Sequence, residues 1–363
     1  NGVIPWHRWG ISDAHFWPDA EYLFTMNTSQ VQSACTGTPP RSGSPSPRRA
    51  AVGFRIPVKS SQPFPGGERV VSLLSAGGFV VWNATSGELL AENQERRIEE
   101  VRVLHSSDLL LARVREGGSD GSSGFMIMNS STGRELHPLG QTGNVHSFDV
   151  SPCGKKVLIA NSSGLFLWDG PTGTLELEVD LLATTGTRAK LSRGGARVFA
   201  EKSNLLYVWN GTTGKMLRTV TMPGDIYDYA IDHDGRRVVA AVESENCVHS
   251  VVWNVDSGNP WQWLDGPTAR PFDISVVSAA VTMSAGGHFA ASCTVDHDVM
   301  ETPRGWSAKL AIRVWVWDVA SRRTLYTFVY SGFRGDFHYD EMTGYHLDRC
   351  TVELFSILDS LFM

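Results

Sequence analysis

Asp296-His297-Asp298, with Glu301 three residues further on, carries the side-chain types that hold a divalent cation. A complete coordination shell needs a second cluster, and the sequence offers none near it. The segment is therefore read as a solvated polar loop, with no metal expected. Other histidines (His105, His137, His146, His233, His249, His288) recur at no fixed spacing. They suggest turn and strand-end residues rather than a general-base constellation. Glycine-rich phosphate loops, a nucleophile elbow and an HExxH helix are all missing. No catalytic set and no cofactor are expected. The five cysteines (Cys35, Cys153, Cys247, Cys293, Cys350) are odd in number, widely spaced and in no CxxC pair. A Cys-only zinc site does not fit that pattern, and a reduced intracellular chain, placed in the cytoplasm, does.

Two further features invite modification chemistry. Asn27, Asn83, Asn129, Asn161 and Asn210 each open an Asn-X-Ser/Thr sequon. Four of them fall in turns of the pattern described below, and turn chemistry is the preferred reading. Ser44 and Ser46 each precede a proline and sit among Arg41, Arg48 and Arg49. They are candidate proline-directed phosphorylation sites.

Bulk composition narrows the classes. The 363 residues carry 32 Lys and Arg against 38 Asp and Glu, a formal charge of −6. That argues against a broadly basic nucleic-acid surface. No apolar run approaches the roughly 18 residues of a membrane span, so no membrane partner is expected. The first residue is Asn1, and the chain is read as part of something longer.

The elements that must position any site come from an internal repeat. An aromatic residue or Met is followed by Asn or Asp, two residues, Ser or Thr, and usually Gly. The phrase begins at Trp82, Met128, Trp168, Trp209, Trp253 and Trp317. Successive starts lie 46, 40, 41, 44 and 64 residues apart. Upstream of each lies a small turn and then an apolar run, beginning near Val70, Leu109, Val157, Val198, Val238 and Phe289, with a further copy at Tyr22. Residues 145–179 show what one copy contains. Val145 to Val150 is a first strand, Val157 to Ala160 a buried second, Leu165 to Trp168 a third and Leu175 to Val179 a fourth, each separated by turn residues.

The period, the four strands and the Trp-Asp or Trp-Asn pair closing the third strand resemble the WD40 repeat family of β-propellers, over roughly residues 8–331. The resemblance implies an all-β, seven-bladed propeller of four-stranded antiparallel blades over residues 1–331. A disordered insertion is expected at 36–49 (Thr36 to Arg49 reads TGTPPRSGSPSPRR), and residues 332–363 form a C-terminal tail whose Cys350 to Leu358 could close the ring or start another blade. Two family marks are missing. The Gly-His pair that opens the family's repeat is absent, and the Asp usual between second and third strands is mostly replaced. The hydrogen-bonded tetrad of the family is therefore not expected to be intact. Asp296 to Ser307 is expected as a loop inserted in the seventh copy.

Trp82, Trp168, Trp209, Trp253 and Trp317 hold one repeat position and are read as core. Trp6, Trp9, Trp261, Trp263 and Trp306 lie off it. In the family, residues near the start of each first strand line the face used for partners. The resemblance therefore points to Arg97, His146, Arg188, Tyr227 and Asp228, with a structural role at the central channel as the competing reading. Trp261, Trp263 and Trp306 add candidate anchors. The function implied is a non-catalytic protein-interaction scaffold within a larger intracellular assembly, with one or more protein partners. Two alternatives stay open: an RNA-binding propeller within a ribonucleoprotein complex, marked by steeply salt-dependent affinity, and a quinone-dependent enzyme propeller, marked by cofactor absorbance.

Overall fold

A computed structural model describes residues 11–16, 23–27, 31–34 and 50–54, and then residues 58–336 apart from short connecting segments. The described residues are all-β, with 28 strands and no helix. Strands β1 (Ile11–Phe16) and β2 (Leu23–Asn27) pair, as do β3 (Val31–Ala34) and β4 (Ala50–Phe54). Six four-stranded sheets follow, each an antiparallel meander in chain order. The first holds β5 (Val58–Pro63), β6 (Arg69–Leu74), β7 (Phe79–Asn83) and β8 (Leu89–Asn93). The second holds β9 (Ile98–Leu104), β10 (Leu109–Arg115), β11 (Ser123–Asn129) and β12 (Glu135–Pro138). The third holds β13 (Val145–Val150), β14 (Lys156–Asn161), β15 (Gly164–Asp169) and β16 (Thr174–Val179). The fourth holds β17 (Arg188–Leu191), β18 (Arg197–Lys202), β19 (Leu205–Asn210) and β20 (Met216–Thr221). The fifth holds β21 (Ile226–Ile231), β22 (Arg237–Ser244), β23 (Cys247–Asn254) and β24 (Gln262–Trp263). The sixth holds β25 (Ser275–Met283), β26 (Phe289–Thr302), β27 (Gly305–Asp318) and β28 (Thr324–Asp336). Among the described residues, six complete sheets thus stand where seven were expected. The chain divides into two compact units, residues 1–190 with 212–214, and residues 191–211 with 215–363.

Burial follows strand position. Second strands are apolar on both faces: Val157, Leu158, Ile159 and Ala160 are all buried, as are Val238 to Val242. Fourth strands are mostly exposed, as in β16 and β20. The first unit has a core around Phe64, Val81, Leu110 and Met128 and another around Leu111, Ile127 and Val157. The second unit has one around Leu206, Tyr229, Ala240 and Trp253, and another around Val239, Ala290 and Trp317.

The turns explain why the phrases recur. Before the second strand, a Ser or Asp accepts the backbone N–H of the residue five further on. Ser151 Oγ takes Lys156 N at 2.9 Å, Ser192 Oγ takes Arg197 N at 3.0 Å, Asp232 Oδ1 takes Arg237 N at 3.1 Å and Ser284 Oγ takes Phe289 N at 2.9 Å. The glycine three residues into each turn has positive φ, as at Gly154 (69°) and Gly195 (72°). The basic residue ending three of these turns then reaches the next sheet in chain order. Arg69 bonds Asp108, Arg197 Nη1 bonds the Gly235 carbonyl at 2.9 Å, and Arg237 Nη1 bonds the Gly287 carbonyl at 2.7 Å.

After the third strand, the Asn or Asp of the repeat closes the turn with its own side chain. Asn129 Oδ1 accepts Ser131 N and Thr132 N at 2.9 Å, Asp169 Oδ1 accepts Thr172 N at 3.0 Å and Asp318 Oδ1 accepts Ser321 N at 2.7 Å. Asn83 acts in the same way, and Asn161 does so in the turn between β14 and β15. The sequons at Asn83, Asn129 and Asn161 thus have a turn function. Four residues after the repeat Asn or Asp comes a left-handed residue: Gly87 (75°), Gly133 (68°), Gly173 (66°) and Gly214 (68°). The last copy places Arg322 there, at φ 62°. Arg322→Gly should raise stability by about 1 kcal/mol, because the backbone cost it removes exceeds the extra chain entropy of glycine. A thermal melt that does not rise would contradict this account of the turn.

One expected loop needs correction. Residues 296–302 and 305–307 continue β26 and β27 as a hairpin, with unbroken register from Phe289↔Asp318 to Thr302↔Gly305. Strand β28 runs on to Asp336, past position 331. A remnant of the tetrad also survives. In the first four-stranded sheet Trp82 Nε1 donates to Ser72 Oγ at 2.9 Å, and Ser72 Oγ meets Ser61 Oγ at 2.6 Å. The positions matching Ser72 in the third, fourth and fifth sheets are Ile159, Ala200 and Ala240, which offer no hydroxyl. Ser72→Ala should cost about 1 to 3 kcal/mol, because it removes the acceptor of a buried indole N–H. An unchanged melting temperature would show that the pair contributes nothing.

The expected insertion at 36–49, with Ser44 and Ser46, and the tail beyond 336 lie outside the described residues.

Candidate functional site

One backbone irregularity recurs where the first strand of a sheet begins. The register between first and second strands slips by one residue near the start of β5, β9, β13, β21 and β25. The extra residues are Lys59, Glu99, His146, Tyr227 and Val277. A bulge of this kind leaves one residue out of the ladder and turns its side chain away from the regular alternation. The preceding apolar residue packs inward: Val58, Ile98 and Ile226 are buried. In β5, β9 and β21 the first strand thus begins with a buried apolar anchor followed by a residue of free choice.

The residues picked from sequence take different places in this pattern. In the first unit, Arg97 is exposed directly before Ile98, His146 occupies a bulge and Arg188 is half-buried at the start of β17. In the second unit, Tyr227 occupies a bulge and its hydroxyl donates to Glu243 Oε2 at 3.1 Å. Burial pushes that hydroxyl's pKa up, and the Glu243 and Asp225 carboxylates add to the shift. Asp228 Oδ2 accepts the backbone N–H of Val281 at 3.0 Å, so this carboxylate braces the neighbouring strand β25. Ser147 holds the matching position in β13 and accepts Ala189 N at 2.9 Å.

Trp261 and Trp263 form a separate aromatic group in the second unit. Their ring centroids lie 4.9 Å apart and nearly perpendicular, and His249 lies 5.0 Å from Trp263. Trp261 Nε1 donates to the Thr221 carbonyl at 3.0 Å, while Trp263 keeps 41% of its surface exposed. Trp306 is opposite Glu301 in the β26–β27 hairpin; its side chain, like those of Asp296, His297 and Asp298, lies outside the described residues. No group of three or more metal-ligating side chains occurs among the described residues.

Sequence reasoning missed the Glu99 bulge and the cluster around it. Glu99 accepts a hydrogen bond from Arg115 Nε at 2.7 Å, and Arg113 Nε stands 3.8 Å away as an ion pair beyond hydrogen-bond distance. A usable signal lay in the alternation of Arg113 and Arg115 along β10. Each unit also holds a small cavity among its described residues. That in the first unit, of about 170 Å³, is lined by Gln62, Arg102, Phe148 and Asp149. That in the second, of about 230 Å³, is lined by Arg237, Asn254 and Gln262.

No protein-family model and no curated protein matches the chain. Solved structures do. One is KlHsv2 with loop 6CD replaced by a Gly-Ser linker, at TM-score 0.52 and 10% identity, covering 90% of this chain and 98% of that one. Another is the β-propeller domain of Myceliophteria thermophila Cps50 (Swd1), at TM-score 0.50 and 10% identity, covering 79% of this chain and 94% of that one. With repeated four-stranded antiparallel meanders and these structural neighbours, the chain has the fold of a WD40-type β-propeller.

Proposed function

We propose that this protein is a non-catalytic interaction scaffold that binds protein partners inside the cell through the residues where its first strands begin. The observation that carries this reading is the recurring bulge. It presents Lys59, Glu99, His146 and Tyr227 at equivalent places in their sheets. A regular frame that varies in chemistry at such places suits recognition, since function resides in the site rather than the fold. The repeat aromatics are committed to packing, which leaves the first-strand starts and the Trp261–Trp263 group as the chemically varied surfaces. Cys153 and Cys293, neither in a disulfide, support an intracellular setting.

Seven blades are part of the same proposal. β1 and β2 carry the same slip, between Ile11 and Asp13, at the start of a first strand. β1 to β4 then supply the strands of a seventh copy. Removing residues 11–54 should abolish cooperative unfolding; a truncated chain that melts like the full one would refute the seventh blade.

The test of the binding surface is cross-linking mass spectrometry on complexes captured from native lysate, repeated with Arg97, His146 and Tyr227 replaced by Ala. Cross-links that map to first-strand starts and vanish in the variant are expected. Partners that survive it and vanish instead on Trp261→Ala/Trp263→Ala would move the site to the aromatic group.

A further inference from the structure

The Glu99 bulge gathers more charge than strand pairing requires. Its carboxylate holds Arg115 through Nε and forms a longer ion pair with Arg113, and its backbone carbonyl accepts Lys59 Nζ at 3.2 Å. Arg115 donates its backbone N–H to the Arg97 carbonyl at 3.0 Å, which sets Arg97 and Arg115 opposite each other at the ends of β9 and β10. Like charges placed directly opposite destabilise a sheet. Glu100, next in β9, is engaged by Arg102 at 2.8 Å. Lys59, Arg113 and Arg115 thus meet at Glu99, with Arg97 two residues before it in the chain, in a protein whose overall charge is −6. Arg115 remains 53% exposed and Arg97 is exposed as well.

We propose that this cluster binds an acidic, Asp- and Glu-rich segment of a protein partner, with Arg97 and Arg115 taking its carboxylates. The proposal rests on the first-strand reading above and specifies its partner chemistry. Glu99 holds Arg115 at Nε, which orders that guanidinium in advance for a second carboxylate at its terminal nitrogens. A bound acidic segment also relieves the repulsion between Arg97 and Arg115. Single-stranded nucleic acid fits less well, because β5, β9 and β10 contain no aromatic residue on which a base could stack.

The test uses the full chain and a fluorescein-labelled Glu-rich decapeptide, read by fluorescence anisotropy at low and physiological salt. Arg97→Glu/Arg115→Glu should weaken binding at least about tenfold, as expected for loss of charge-assisted contacts. Arg97→Gln/Arg115→Gln should weaken it less, and Arg218→Glu on exposed β20 should leave it unchanged. Melting curves of all variants confirm that they fold. Equal affinity in Arg97→Glu/Arg115→Glu overturns the proposal, and so does an equal loss in Arg218→Glu. Tighter binding of oligouridylate or phosphatidylserine vesicles at the same salt overturns it too. Cross-links at His146 and Tyr227 without any peptide binding would reject this partner chemistry and leave the first-strand reading standing.

Discussion

Trp209→Ala is expected to lower the unfolding free energy by about 3 to 5 kcal/mol, the usual loss for emptying a large buried aromatic site. Trp209 lies near the end of β19 and is 2% exposed. Its register partner in β18 is Val198, itself buried. Truncation leaves a void lined by second-strand residues that are held in a hydrogen-bonded ladder and cannot collapse into it. Trp82→Ala should cost as much, and it also strips Ser72 of its indole partner. Trp168→Ala should cost less, because Trp168 is only half-buried against its core. Equilibrium denaturation of the three variants measures the order. Equal losses, or no loss at Trp209, would show that the repeat aromatics do not set the strength of the core.

Gly211→Ala is expected to be nearly as damaging, at about 3 kcal/mol for overpacking against rigid backbone. The residue after the repeat Asn or Asp donates its N–H to the residue just before the second strand. Ala84 bonds Glu68, Gly211 bonds Ala196 and Val255 bonds Arg236, each at 2.8 Å. Ala and Val are tolerated in those sheets. At Gly211 a Cβ would stand 1.8 Å from the Gly195 carbonyl oxygen, so the turn before β18 would have to move. Gly170 occupies the same position with its nearest backbone neighbour at 3.2 Å. Gly170→Ala should therefore be the milder change, and a melt showing the reverse order would refute the steric argument.

Much of this architecture was readable from the residues. The second strands announced themselves as continuous apolar runs such as Val157 to Ala160, because both their faces are covered. Trp-Asn and Trp-Asp marked third-strand ends, since the aromatic packs and the polar residue folds the turn. The bulges were not readable. Lys59, Glu99, His146 and Tyr227 share no chemistry, and a register slip is a property of two strands together. The hairpin of β26 and β27 was hidden for a related reason: Asp296, His297 and Asp298 are poor strand formers, and pairing with a long partner overrides that preference. The acceptor role of Asp228 was not readable either, because it depends on a strand more than 50 residues away.

A second slip, on the last strand of the sheets, bears on how the protein survives at high concentration. Fourth strands lose register at Leu90, Leu136, Glu176, Leu217 and Leu325, just after the turn that follows the third strand. Four of these five residues are leucines with exposed side chains. Such edges, if straight, would be templates for joining one molecule to the next. The bulge interrupts the row of donors and acceptors at the point where the apolar side chains would reward stacking. Backbone irregularity thus blunts these edges alongside surface charge, and deleting a bulged leucine is expected to raise aggregation, which light scattering of the deletion variant would measure.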